Sequence, residues 1–253
     1  MSNMPPVRVI NLTFPYSAMD VGAFIEEMER LAPPTLADEF DRGRIGLVVE
    51  GRTGITKVCC ALDATSAVVK QAVAASADML VVHHTPLWTP VTQLTGHTAR
   101  LMRALLAADM NLYVMHTNFD RADNGVNDAL ARLLSLTDLT PMSLGQIGTC
   151  SITPAEISRR LGGNVRIWGE RRSIKRLAVI AGSGFDPQLL DEAKGLGADA
   201  FLSAEMKHAV ARVAPIPCIE ATHYALEAPA MKDLAARMGW KYIDDPPLIR
   251  SIP

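Results

Sequence analysis

Five of the six histidines in this 253-residue chain fall just past short apolar runs. His83 and His84 follow MLVV, and His116 follows LYVM and opens the segment His-Thr-Asn-Phe-Asp120. His208 stands with Glu205 and Lys207 after AFLS, and His223 follows CIEA with Glu227 four residues on. Only His97 lies elsewhere, near the expected start of a helix, where it should be exposed. Imidazole and carboxylate donors together suit Zn, Fe, Mn, Co or Ni. One histidine alone is more often a hydrogen-bonded core residue, and a single His-x-x-x-Glu spacing is common. The clustering at run ends, with Asp120 and Glu227 alongside, is what points to metal. His83 and His84 cannot both aim at one spot from a regular strand, because successive side chains alternate faces. At a strand end they can diverge onto two ions lying side by side, which reads as a dinuclear site. His223 and Glu227 share a face if their turn is helical, although Pro229 favours a helix that begins later.

These residues need a scaffold of alternating elements. From Lys57 onward, short apolar or β-branched runs alternate with longer helical patterns. Strands are expected at 57–63, 78–82, 111–115, 177–182, 199–203 and 217–221. A terminal strand is expected in KYID. Helices are expected at 66–75, 97–110, 125–136, 153–161, 187–196, 206–213 and 230–238. The first 50 residues add a strand near Val7 to Leu12 and a helix near Asp20 to Leu31. Residues 137–172 are Gly- and Pro-rich and read as less regular. Such alternation predicts an α/β fold with mixed, mostly parallel sheets, divided into halves 1–140 and 141–253. In open α/β sheets ligands bind beyond the carboxyl ends of strands, which is where the histidines lie. GSGF at 182–185, between a strand and a helix, could offer N–H groups to a phosphate. Without the full GxGxxG spacing, a tight turn explains it equally well.

Composition narrows the classes. At about 150 residues per domain, the length allows one large domain or two small ones. Hydrophobic residues at 49% and charged residues at 21% describe a chain with a sizeable core, which excludes disorder for the bulk of it. Lys plus Arg is 25 and Asp plus Glu is 27, a formal net charge of -2, which argues against a nucleic-acid partner. Four cysteines (Cys59, Cys60, Cys150 and Cys218) make no disulfide framework and fit a reducing cytoplasm. The start lacks a secretory pattern, and no apolar stretch approaches the length of a membrane span. Gly-x-Ser-x-Gly and P-loop motifs are absent, so serine-hydrolase and P-loop readings have no support.

VVHHTPLW, MHTNFDRADNGVNDALARLL, AGSGF, GADAFLSAEMKH and EATHYALEAPAMKDLA, in that order, resemble the Nif-three-like dinuclear metal centre proteins, many of them called GTP cyclohydrolase 1 type 2 homologues. GRIGLVVEG (43–51) is similar to that family's early segment. The resemblance covers most of the chain. It implies two α/β domains and a homohexameric ring, a trimer of dimers, with a two-metal site between the domains. Matched residue by residue, the metal ligands would be His83, His84, Asp120, His223 and Glu227. His116 would be a further ligand or a group holding one in place. Thr85 and Thr222 depart from the residues usual after the His pair and before His223.

Two divalent ions would bring four positive charges against two from Asp120 and Glu227. The surplus favours a small anionic or phosphorylated ligand, and hydrolysis by metal-activated water is the default chemistry. His116, Glu205 and His208 are candidate proton shuttles. The resemblance implies GTP cyclohydrolase-like turnover of a nucleotide. The alternatives are an iron-binding protein that delivers metal to cofactor maturation without turnover of its own, and an interaction protein linked to transcriptional regulation.

Overall fold

A computed structural model describes residues 18–170 and 172–250. The strand expected near Val7 to Leu12 lies outside them. The first half of the chain runs β1 (Met19–Asp20), α1 (Val21–Leu31), β2 (Gly46–Val49), β3 (Gly54–Ile55), β4 (Val58–Asp63), α2 (Ser66–Ala74), β5 (Met79–His84), α3 (Gly96–Ala107), β6 (Asn111–Val114), α4 (Thr117–Arg121) and α5 (Val126–Leu133). The second runs β7 (Thr137–Pro141), β8 (Gln146–Ile152), α6 (Pro154–Leu161), β9 (Arg166–Trp168), β10 (Ile174–Val179), α7 (Pro187–Gly195), β11 (Ala200–Ser203), α8 (His208–Val213), β12 (Cys218–Glu220), α9 (His223–Met238) and β13 (Lys241–Tyr242).

The larger strands form two mixed sheets. One has the order β13-β4-β5-β6-β2, with only β2 antiparallel. Its first strand comes from the far end of the chain. The other has the order β7-β8-β10-β11-β12-β9, with a parallel centre at β10-β11-β12 and antiparallel flanks. Strand alternation shares each sheet's side chains between two cores. Cys60, Leu62, Met79 and Val81 face one way, and Leu177, Val179, Leu202 and Ile219 meet them in one continuous core with α5 and α9. Cys59, Ala61, Leu80 and Val82 face the other way, under α2 and α3. Ala178, Ile180 and Phe201 turn outward under α7 and α8. The result is five layers, with α5 and α9 between the sheets.

The structure departs from the sequence expectations in the first half, where it adds β1, β2, β3 and α4, in the middle of the chain and at the start of α9. Residues 137–168 form β7, β8 and β9 as well as the expected helix. β7 (TDLTP) is mostly exposed, so it carries no apolar run to announce it. α9 begins at His223 rather than near 230 and runs through Pro229. An interior proline removes one backbone hydrogen bond and costs about 3 kcal/mol. Burial of Leu226, Ala230, Met231, Leu234 and Met238 along the helix offsets that cost. Thr222, the departure from the family pattern before His223, is its N-cap and accepts from the Ala225 N–H at 3.2 Å.

Candidate metal centre

The ends of β5 and β6 and the start of α9 converge on one cluster. β5 extends through both His83 and His84, so the pair lies within the strand rather than past it. By strand parity His83 continues the Met79–Val81 face toward the middle layer, where α9 carries Glu227. The last residue of β5, His84, sits opposite Asp63, the last residue of β4. The two rings lie 4.9 Å apart, tilted by 54°. α4 follows His116 directly and carries Asp120 on its single turn. The early start of α9 places His223 and Glu227 one helical turn apart, with His223 Nε2 3.0 Å from Glu227 Oε1.

Each of four imidazoles is anchored through Nδ1. His83 Nδ1 donates to the Met115 carbonyl at 2.7 Å. His84 Nδ1 donates to Asp63 Oδ1 at 2.8 Å, His116 Nδ1 to both oxygens of Asp41 at 2.9 Å, and His223 Nδ1 to Glu205 Oε1 at 2.9 Å. Every ring is thereby left with Nε2 to offer. This is the arrangement by which a hydrogen-bonded partner sets the tautomer and orientation of a metal-binding histidine.

Three overlapping groups of donor atoms result, each with its atoms within 4.8 Å of one another. They are His83 with His84 and His116, His84 with His223 and Glu227, and His83 with Asp120 and Glu227. In the last group His83 Nε2 and Asp120 Oδ1 are buried and, among the described residues, without a hydrogen-bond partner, and the buried Glu227 Oε2 has His84 Nε2 3.0 Å away as its ion-pair partner. His83 Nε2 is 3.5 Å from Asp120 Oδ1 and 3.8 Å from Glu227 Oε2. Buried polar atoms left unpaired cost about 1–3 kcal/mol each. A nitrogen lone pair between two carboxylate oxygens is a mutually repulsive arrangement until a cation joins it. The donor set therefore fits a metal.

The electrostatics agree. Burial keeps His83 neutral, pushed down to about 3 despite the nearby charge of Glu227. Burial also opposes a charge on His84, but Asp63 and Glu227 on either side raise it to about 10. Glu227 and Glu205 likewise overcome burial at His223 and raise it to about 9. Burial and then the charge of Glu227 push the Asp120 carboxyl well above the usual carboxylate range. Glu227 itself, although buried, is held below that range by hydrogen bonds from the charged His223 and His84.

The structure brings together all five ligands expected from the sequence, and His116 with them. Glu205 reaches the cluster only through His223 Nδ1, so its position is that of an anchor. His208 is exposed at the start of α8 and belongs to none of the three groups. His97 is exposed in α3. Sequence reasoning missed Asp41 and Asp63. Asp63 could have been found, since it ends a strand as His84 does. Asp41 is fully buried in a short 3-10 turn with no periodic signal, and it accepts from Thr117 N–H and Oγ1 as well as from His116. Those hydrogen bonds outweigh burial and hold its carboxyl below the usual range. The half-exposed rings of Phe40 and Trp88 stand edge-on to His116, with centroids 6.1 and 5.1 Å away.

Among the described residues, no helix is long and apolar enough to cross a membrane. Residues 19–245 match the sequence model of a family described as Duf34/NIF3 (NGG1p interacting factor 3). The GTP cyclohydrolase 1 type 2 homolog of Pyrococcus abyssi is 32% identical over 237 aligned residues, 82% of this chain and 92% of that one. Reduced HcgD from Methanocaldococcus jannaschii is 29% identical and superposes with a TM-score of 0.77, covering 88% of this chain and 96% of its own. A Bacillus cereus protein related to NIF3 is 18% identical and shares the fold, with a TM-score of 0.81 over 93% of this chain and 100% of its own.

Proposed function

Because this chain belongs to the Duf34/NIF3 family, we propose that it holds two divalent metal ions in the cluster between its sheets and uses them to hydrolyse a nucleotide or another phosphorylated small molecule. His83 and Asp120 would hold one ion and His84 and His223 the other, with His116 offered beside His83 and His84. Glu227 would stand between them, since its Oε1 faces His223 and its Oε2 faces His84 and His83. The observation that carries this reading is the pair of orphaned buried atoms, His83 Nε2 and Asp120 Oδ1, 3.5 Å apart beside the Glu227 carboxylate. Bound there, the ions would polarise a phosphoryl or carbonyl oxygen and acidify water. The chain's own part is to hold the imidazoles rigid through Asp41, Asp63, Glu205 and the Met115 carbonyl. His84, His116 and His223 are partly open to solvent, so a ligand would reach the ions from their side.

In this reading the two halves divide near residue 140, the C-terminal helix and strand returning to the first sheet. The native metal would be Fe, Zn, Mn, Co or Ni, the assembly a homohexamer and the compartment the cytoplasm. The test is a turnover screen of GTP, other nucleotides and simple phosphoesters on metal-loaded protein, with Glu227→Gln and His97→Gln beside the wild type. Turnover that vanishes in Glu227→Gln and survives in His97→Gln is the expected result. Metal bound without turnover of any of these would overturn hydrolysis and leave metal storage or delivery.

A further inference from the structure

Neither the ligand set nor its anchors use the Gly182-Ser183-Gly184-Phe185 turn, which leaves β10 and passes against the cluster. A Cβ built on Gly182 would lie 2.3 Å from Glu227 Oε1, 3.5 Å from Glu227 Cδ and 3.4 Å from His223 Nε2. Gly182 also has φ +71°, in the left-handed region that favours glycine. The turn is fixed where it stands. The Gly182 carbonyl accepts from the Ala204 N–H at 2.9 Å and from the Ser203 hydroxyl at 2.8 Å. The same buried hydroxyl accepts from the Gly184 N–H at 2.8 Å. One residue earlier, the Ala181 N–H donates to Asn127 Oδ1 at 2.9 Å. Asn127 Nδ2 in turn donates to the Asp120 carbonyl at 3.0 Å. A single buried amide thus ties the backbone of one ligand to the backbone beside Gly182.

The geometry points to Gly182 as a positioning residue of the metal centre: its bare Cα is the wall that sets the Glu227 carboxylate between His84 and His223. This rests on the metal-binding reading above. The glycine is then required for the room it leaves and for its backbone conformation, and the turn needs no phosphate to explain it. A carboxylate is the mobile end of a side chain, so an added methyl displaces Glu227 rather than unfolding the protein. The loss should fall on metal binding.

The experiment titrates metal-free, full-length protein with Co2+ alone, followed by absorbance, with circular dichroism as the check on folding. Gly182→Ala and Gly182→Asn should fold and bind Co2+ about 10–100-fold more weakly, the range seen when support around metal ligands is removed. Asparagine tolerates the left-handed region, so its variant separates crowding from backbone strain. Gly162→Ala is the converse control, since Gly162 has φ +69° with nothing within 4 Å of an added Cβ. It should bind as the wild type does. Glu227→Asp shortens the carboxylate by one methylene. It should weaken binding in the wild-type background and strengthen it in Gly182→Ala, a coupling that strain alone does not produce. Wild-type affinity in Gly182→Ala, or equal weakening by Glu227→Asp in both backgrounds, would overturn the inference. Failure of the wild type itself to take Co2+ would overturn the metal reading instead.

Discussion

Both carboxylate oxygens of the fully buried Asp41 lie 2.9 Å from Nδ1 of His116, across 75 residues of sequence. That pair ties the segment after α1 to the end of β6 and aims the His116 ring at the cluster. Asp41→Asn keeps the shape but removes the charge. It should lower metal affinity about 10–100-fold and cost about 1.5–3 kcal/mol of stability, as expected for a hydrogen bond to a charged group. Metal titration and urea unfolding check the two effects. Unchanged metal affinity would detach His116 from the site.

Metal binding should release protons. In the metal-free protein His84 is raised to about 10 and His223 to about 9, above the ordinary imidazole value of about 6.5, so both are protonated near neutral pH. Their contribution to the stability of the metal-free fold is complete below about 6.5 and lost as pH rises through their folded values. Metal competes with those protons, so affinity should climb with pH over the same range. Calorimetry in two buffers of different ionisation enthalpy reads the release directly. A heat independent of buffer would contradict it.

Away from the site, Asp78 accepts from Thr56 N–H and Oγ1, from Lys57 N–H and from Arg52. Burial opposes its charge, but those donors hold its carboxyl below the usual range. A depressed folded value gives stability that is present above the unfolded value of about 3.9 and lost as pH falls through the folded one. Asp78→Asn should cost about 1.5–3 kcal/mol near neutral pH, shrinking in acid. Unfolding by urea across the acid range measures this, and metal content should not change.

Much of this was legible in the sequence, for identifiable reasons. β4, β5, β6, β11, β12 and the second half of β10 are buried on both faces, so they read as continuous apolar runs. β7 and β9 are short edge strands with exposed faces, and antiparallel pairing rather than hydrophobicity holds them. α9 was hidden by Pro229, because a local rule about proline lost to burial of the helix. The histidines and their carboxylates stood out because strand ends concentrate ligands. Asp41 did not, since only the folded chain carries it to His116.

Assembly can be read in solution. Val91, Leu94 and Leu106 are exposed and line a groove of about 610 Å³ beside α3. Light scattering should give about six times 27.3 kDa, consistent with closed symmetry. A monomer for the wild type at micromolar concentration would contradict the proposed ring.

The most direct test counts metal. Metal-free, full-length protein is saturated with Zn2+, freed of excess ion and analysed for bound zinc per chain. The site contains three overlapping donor groups, more donors than one tetrahedral ion uses. The content should approach two ions per chain and fall sharply in Glu227→Gln. A content that never passes one, or that Glu227→Gln leaves unchanged, would contradict a two-metal centre with Glu227 between its ions.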